Sequence, residues 1–319
     1  MDIDGFDLEI LNQLDIDARQ SYSQIGKHIN RSKQFVGHRI KNLLEKRIIE
    51  GYNLDVDTRR MGYIIFSIFL QFKSVNQEKE KKIIDYLRKS KYVGFCLKTI
   101  GNWDLFISVR TEGVNDFYKF LGEFHKFCTN SIKKESINLE VKGISTNLKF
   151  LTKQKKSSAY KSVNAIVMGK EEFSELEKKV FNKLREKPLM PYLELSSQCG
   201  KSYETIKKVI NELKERKIIK RTRAIIDMEK LDYTRYLFLI ELHFLSDKQM
   251  EEIVNYLTAH PNVNYTMECI GSWNLVCNVY SRDIYELVGI INELKNRFAE
   301  IQSIEFLRVI KNEKETFSL

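Results

Sequence analysis

Ser32, Lys33, Gln34, Gly37, His38, Arg39 and Lys41 crowd one short stretch of the chain, and their types point to reading a polyanion. Lysine and arginine pair with phosphate oxygens or with guanine O6 and N7, and a glutamine amide can satisfy both hydrogen-bonding groups of adenine. A glycine lets a helix approach a backbone closely. A second stretch, Ser202, Tyr203, Glu204, Lys207 and Lys208, repeats the layout with Val209 where Arg39 stands. Common motifs of bond-making chemistry are missing from the sequence. It contains no P-loop, dinucleotide fingerprint, HExxH string or nucleophile elbow. The five cysteines, at 96, 128, 199, 269 and 277, form no CxxC pair. No catalytic residue, metal site, disulfide frame or cofactor is expected, and the chain is read as a non-enzyme of a reducing compartment.

The charge is focused where those residues lie. The 319 residues carry 53 Lys+Arg against 43 Asp+Glu, a net +10. Residues 1–20 hold six acids and one base, whereas 27–47 holds seven bases and one acid, and 197–223 nine bases and three acids. Residues 149–170 add six lysines with no acid. Patches of this kind suit a nucleic acid more than a uniformly solvated surface. The longest apolar run, 64–72, is strand length and contains Ser67 and Gln71, so no membrane span is expected. The acidic amino terminus is unlike a signal peptide, which implies a cytoplasmic protein.

Positioning those residues is the work of a repeated unit. Shifting the chain by 170 positions aligns it with itself from Phe6 to about Phe120 without a gap. Asn12, Tyr22, Ser32, Ile40, Leu43 and Ile48 fall on Asn182, Tyr192, Ser202, Ile210, Leu213 and Ile218. Gly101, Trp103 and Leu105 fall on Gly271, Trp273 and Leu275, so the protein's two tryptophans are one position seen twice. The expected organisation is a tandem duplication joined by a Lys/Ser-rich connector with room for one small strand.

In the first part of each unit, Phe6, Ile10, Leu11 and Leu14 recur at helical spacing. Ser21 stands three residues before Gln24, a capping-box spacing, and opens a short helix buried through Ile25 and Ile29. Asn30, with Gly200 as its counterpart, predicts a left-handed turn. Ser32 or Ser202 then caps a third helix whose Val36, Ile40 and Leu43 (or Ile206, Ile210 and Leu213) face inward. Helix, tight turn, helix is the expected outcome, its last member suited to a major groove.

The second part reads βαββαβ. Residues 64–72 form a strand, and Ile83, Ile84, Tyr86 and Leu87 mark a helix. Val93–Thr99 and Trp103–Val109 alternate about a two-residue Gly101-Asn102 turn, Val114–Phe124 gives a second helix, and Ile137, Leu139 and Val141 a last strand. Phe66, Ile68 and Phe106 are expected on the sheet face away from the helices, where a second sheet should cover them.

The run FDLEILNQLDIDARQSYSQIGKHINRSKQFVGHRIKNLLEKRIIEGY, followed by a βαββαβ region with IGNWDL at its hairpin, resembles the Lrp/AsnC family, the leucine-responsive and asparagine-type regulators of bacteria and archaea. Arg47 and Lys217 stand where that family carries a glycine, and the second copy lacks equivalents of Arg39 and Gly62. The resemblance implies an α+β fold of two tandem winged-type helix-turn-helix modules, each followed by a ferredoxin-like βαββαβ domain. The segments expected are 1–56, 57–148, a linker at 149–172, 173–226 and 227–319. It also implies a sequence-specific transcriptional regulator that binds double-stranded DNA as a pseudodimer within the chain or as a homo-oligomer. An amino acid or related effector would be held at Gly101, Asn102, Asp104, Gly271 and Asn274, with Asp104 meeting its ammonium. Two rivals remain: a siroheme-decarboxylase-like enzyme of the same layout, and a sensor or adaptor that does not touch DNA.

Overall fold

The computed structural model describes residues 3–73, 76–152, 160–165, 169–243 and 246–315. Along the chain run α1 (Gly5–Ile16), α2 (Tyr22–His28), α3 (Lys33–Glu45), β1 (Ile49–Val56), β2 (Ile64–Phe72), α4 (Gln77–Lys89), β3 (Val93–Ile100), β4 (Leu105–Thr111), α5 (Val114–Phe127) and β5 (Ile132–Thr146). They are followed by β6 (Lys161–Ala165), α6 (Glu175–Glu186), α7 (Tyr192–Cys199), α8 (Tyr203–Glu215), β7 (Ile219–Ile226), β8 (Thr234–Leu242), α9 (Asp247–Ala259), β9 (Val263–Ile270), β10 (Leu275–Ser281), α10 (Ile284–Arg297) and β11 (Ile301–Glu315). β6 is the small strand expected in the connector, whose residues 153–159 and 166–168 lie outside the described ones.

Two compact units result, and each collects pieces of both halves of the sequence. The first holds residues 1–61, 146–162 and 169–232, and hence both three-helix modules. Local signals start its helices. Asp4 caps α1 in a capping box with Asp7, Ser21 caps α2 in a box with Gln24, and Ser32 accepts the Phe35 amide at the start of α3. The α3 end closes with Arg47 N–H donating to Leu44 O and Ile48 N–H to Leu43 O, and the α8 end repeats this at Lys217 and Ile218. Arg47 and Lys217 occupy the left-handed region there, at φ 54° and 57°. A side chain costs energy in that conformation, so Arg47→Gly and Lys217→Gly should each raise stability by about 1 kcal/mol in urea unfolding. A loss would mean that the side chains make contacts outweighing the strain. β1 and β7 join the modules as an antiparallel pair.

The second unit comprises residues 62–145, 163–168 and 233–319. Its strands pair in the order β2-β4-β3-β11-β8-β10-β9-β5-β6, with β5 also paired to β2, so eight of them close into a ring. Each βαββαβ segment supplies four neighbouring strands, and the β3–β11 and β5–β9 ladders join the two sets. The inner face is apolar: Phe69, Leu97, Phe106, Leu237, Leu239, Met267, Trp273, Val276 and Leu307 bury one another. Trp103 and Trp273 meet edge to face at 5.5 Å, and Phe69 touches both.

The sheet face expected to need a cover is therefore covered by the other sheet, but two of the residues assigned to it are not on it. Phe66 and Ile68 lie under the helices α4 and α5, with Phe66 stacked 3.8 Å from Phe117. Phe69 takes the inner position opposite Phe106. In IIFSIFLQF both faces carry large apolar residues, so alternation does not say which face is which, and only the register against β4 decides it. The hairpin loop is also longer than two residues. Thr99 N–H donates to Asp104 O and Cys269 N–H to Asn274 O, leaving four residues beyond each closing pair.

Candidate nucleic-acid interface

The turn between α2 and α3 is built as the residue types demand. Asn30 has φ 54° and its counterpart Gly200 has φ 64°. Arg31 N–H donates to Gly26 O at 2.8 Å, and a Cβ on Gly26 would lie 2.5 Å from Arg31 O. In the second module Ser196 stands at that position: Lys201 N–H likewise donates to Ser196 O, at 3.1 Å, and the Ser196 hydroxyl also donates to Lys201 O. The shared backbone bond holds the short helix, α2 or α7, against the turn that leads into the next helix.

On α3, Val36, Ile40 and Leu43 are buried, as expected, while Ser32, Lys33, Gln34, His38 and Lys41 are exposed. Among the described residues Lys33 and Gln34 make no hydrogen bond or ion pair, so both are available to a ligand. His38 contacts Asn42 at 3.5 Å, and Lys41 lies 3.8 Å from Glu45 in a solvated pair worth little. Arg31 carries its guanidinium 4.3 Å over Phe6 beside the turn and remains exposed. It lies in the same basic run as Lys33, and its exposure adds it to the candidate contacts.

Two residues expected to face DNA do otherwise. Arg39 is 7% exposed and forks onto Asp4 at 2.7 Å and Asp7 at 3.1 Å, tying α3 to the start of α1. Its spacing from Lys33 and Gln34 suggested a shared face, yet the acids that claim it lie 32 and 35 residues away in the chain. Gly37 makes room for protein, because a Cβ there would sit 3.3 Å from the Tyr22 ring.

On α8, Ser202 caps the Thr205 amide, and Tyr203, Glu204, Lys207 and Lys208 are exposed. Tyr203 lies 6.0 Å from Tyr192, and Lys208 is 3.7 Å from Glu212. Val209 is buried where Arg39 stands in the first module. The inward acid Glu177 finds Arg216 instead, at 2.5 Å.

At the hairpins, Gly101, Asn102 and Gly271 are exposed, and Asp104 and Asn274 are half-buried in one shared role. Asp104 Oδ2 accepts the Phe72 amide at 2.7 Å, and Asn274 Oδ1 accepts the Leu242 amide at 2.7 Å. The side chain thus fastens the hairpin to the end of the neighbouring strand. Asp104→Asn should leave stability within about 0.5 kcal/mol of the parent, since Asn274 makes the same bond at the other hairpin, whereas Asp104→Ala should cost about 1–2 kcal/mol in thermal unfolding. Equal losses would mean that the charge itself holds the loop. Burial pushes the thiols of Cys96, Cys128 and Cys277 up to about 12, so they remain protonated near neutral pH. Among the described residues no group of three or more His, Cys, Asp or Glu side chains is placed to hold a metal ion. No helix among them is long and apolar enough to cross a membrane.

A family model described as winged helix-turn-helix DNA-binding matches residues 3–50. The proline dehydrogenase transcriptional activator of Rhizobium radiobacter is 30% identical over 125 residues, 38% of this chain and 79% of that protein. The regulatory protein AsnC of Haemophilus influenzae is 28% identical over 119 residues, 37% of this chain and 79% of its own. The amino-terminal part of this chain belongs to the Lrp/AsnC family. The Lrp/AsnC assignment takes in about 40% of the chain. Over nearly its whole length the chain is similar in fold to the siroheme decarboxylase NirDL, with a TM-score of 0.63 and 98% and 93% of the two chains covered. At 16% identity that likeness describes the α+β architecture alone.

Proposed function

We propose that the protein is a sequence-specific DNA-binding transcriptional regulator, not an enzyme, acting in the cytoplasm as a pseudodimer made by tandem duplication. Segments 1–56 and 57–148 form the first copy of the duplicated sequence, 173–226 and 227–319 the second, and 149–172 the link. The observation that carries this reading is the amino-terminal end of α3. A serine-capped helix leaves a left-handed turn with Lys33, Gln34 and His38 exposed and with Lys33 and Gln34 unengaged among the described residues. The β1–β7 ladder supports the duplication, since residues 170 apart exchange partners across it.

A mobility shift on random-sequence duplexes at two salt concentrations tests the reading. If the protein neutralises six to ten phosphates, affinity should fall by roughly 10³- to 10⁵-fold between about 50 and 200 mM salt. Lys33→Ala should weaken binding across sequences and lower the salt slope by about one, with unfolding unchanged. Absence of binding at low salt would favour the sensor or adaptor.

An amino acid effector is proposed at the first hairpin only. Asp104 keeps Oδ1 for an ammonium after Oδ2 takes the Phe72 amide, whereas the spare atom of Asn274 is the donor Nδ2. The enzyme is the second reading, motivated by the full-length fold likeness. Against it, His28 and His38 belong to the first helix-turn-helix, His125 pairs with Glu135, and His260 faces Glu293. Purification with a bound tetrapyrrole, visible in the absorption spectrum, would favour the enzyme over the regulator.

A further inference from the structure

The two outward-facing helices are unlike where they would meet base edges, and the chain fixes how they are paired. In the β1–β7 ladder Asn53 lies opposite Arg223, Tyr52 opposite Ala224 and Leu54 opposite Thr222. Asn53 and Arg223 are counterparts 170 residues apart, so the ladder is symmetric about that pair. The flanking bonds obey the same symmetry. Asp57 N–H donates to Ile218 O at 3.0 Å and Asp227 N–H to Ile48 O at 2.9 Å, while Ile48 and Ile218 each close their own helix by donating to Leu43 and Leu213. Within this unit α3 and α8 are therefore related by an approximate two-fold axis, the arrangement that matches two half-sites in inverted order.

The symmetry of the frame is broken by the side chains. The second position of α3 is Gln34, and the second position of α8 is Glu204. Both are exposed, and among the described residues neither has a hydrogen-bond or ion-pair partner. A glutamine amide donates and accepts, which matches adenine N7 and N6. A carboxylate only accepts, which matches the cytosine amino group and is repelled by the O6 and N7 of guanine. Around them Lys33 is replaced by Tyr203, Gly37 by Lys207 and His38 by Lys208, so the second helix keeps cations for phosphate while changing its reader.

We propose that one chain occupies an operator of two unlike half-sites in inverted order, with Gln34 selecting adenine in one and Glu204 selecting cytosine at the mirrored position of the other. This rests on the DNA-binding reading above.

The test is selection from a random-sequence duplex pool with the full chain and with its Glu204→Gln variant, followed by measurement of the mass of the complex. The parent should enrich a site with adenine at one position and cytosine at its mirror position, occupied by one chain per duplex. Glu204→Gln should convert that cytosine to adenine with a preference change of about tenfold or more, leave the other half-site untouched, and bring the site close to a true inverted repeat. A perfect palindrome enriched by the parent, or two chains per duplex, would overturn the proposal and leave DNA binding standing. So would a Glu204→Gln variant that binds all sequences more tightly by one common factor, as expected of a carboxylate that merely sits in solvent at a helix amino terminus. Enrichment of no sequence by either protein would overturn both this inference and the sequence-specific reading on which it rests.

Discussion

Arg39→Ala is expected to destabilise the first helix-turn-helix by about 3–5 kcal/mol, and so to abolish DNA binding through loss of the fold and not of a base contact. The Arg39 side chain is 8% exposed and that of Asp7 is 6%, so removing the guanidinium strands a carboxylate out of water. Burial pushes the Asp7 carboxyl upward, while a hydrogen bond from the Asp4 backbone and the Arg39 charge work against it. Without Arg39 that upward push is opposed less, and protonation relieves the stranded charge. The deficit should therefore be largest near neutral pH and shrink as pH falls through the raised value. Arg39→Lys should recover only part of the loss, because one ammonium cannot reproduce a fork reaching two acids. Urea unfolding of each variant, beside Lys33→Ala as a surface control, separates the cases. An Arg39→Ala protein with parental stability and weakened DNA binding would return Arg39 to the interface.

Arg221→Ala should cost a similar 3–5 kcal/mol and loosen the pairing of the two helix-turn-helix modules. The guanidinium donates to Asp15 O at 2.6 Å, lies 3.5 Å from the Asp15 carboxylate and 3.3 Å from that of Asp55, and stacks 3.9 Å over Tyr160. Burial alone would raise the Asp55 carboxyl, yet Lys220, Arg221 and Arg223 together hold it below the ordinary 3.8. A depressed folded value contributes stability above the unfolded value, and that contribution is lost as pH falls through the folded one. In the parent, Asp55's share should therefore persist down to about pH 4 and fade only below it. Removing Arg221 takes away one of the three opposing cations and lets the carboxyl rise, so the acid-unfolding midpoint should move toward neutral. Thermal unfolding followed across pH reads both effects. A midpoint that stays in place would mean that Lys220 and Arg223 suffice.

What the sequence determined by itself is the set of features whose causes lie within a few residues. Ser21 with Gln24, Ser32 as a cap, Asn30 and Gly200 in the left-handed turn, and the strand at 64–72 all form where the chain places their signals.

What only the tertiary structure decided are matters of partner and register. Arg39 and Lys33 look alike as members of one basic helix, and only the approach of Asp4 and Asp7 makes the first a core residue and leaves the second at the surface. Phe66 and Phe69 are both apolar residues of one strand, and their faces were assigned by pairing with β4. Asp104 suggested a free charge until the end of β2 supplied an amide for it. Capping and turn energies act between chain neighbours, so the local sequence states them outright. Desolvating a charge or choosing a sheet face depends on groups brought together from distant positions, and no local pattern records which of those groups will arrive.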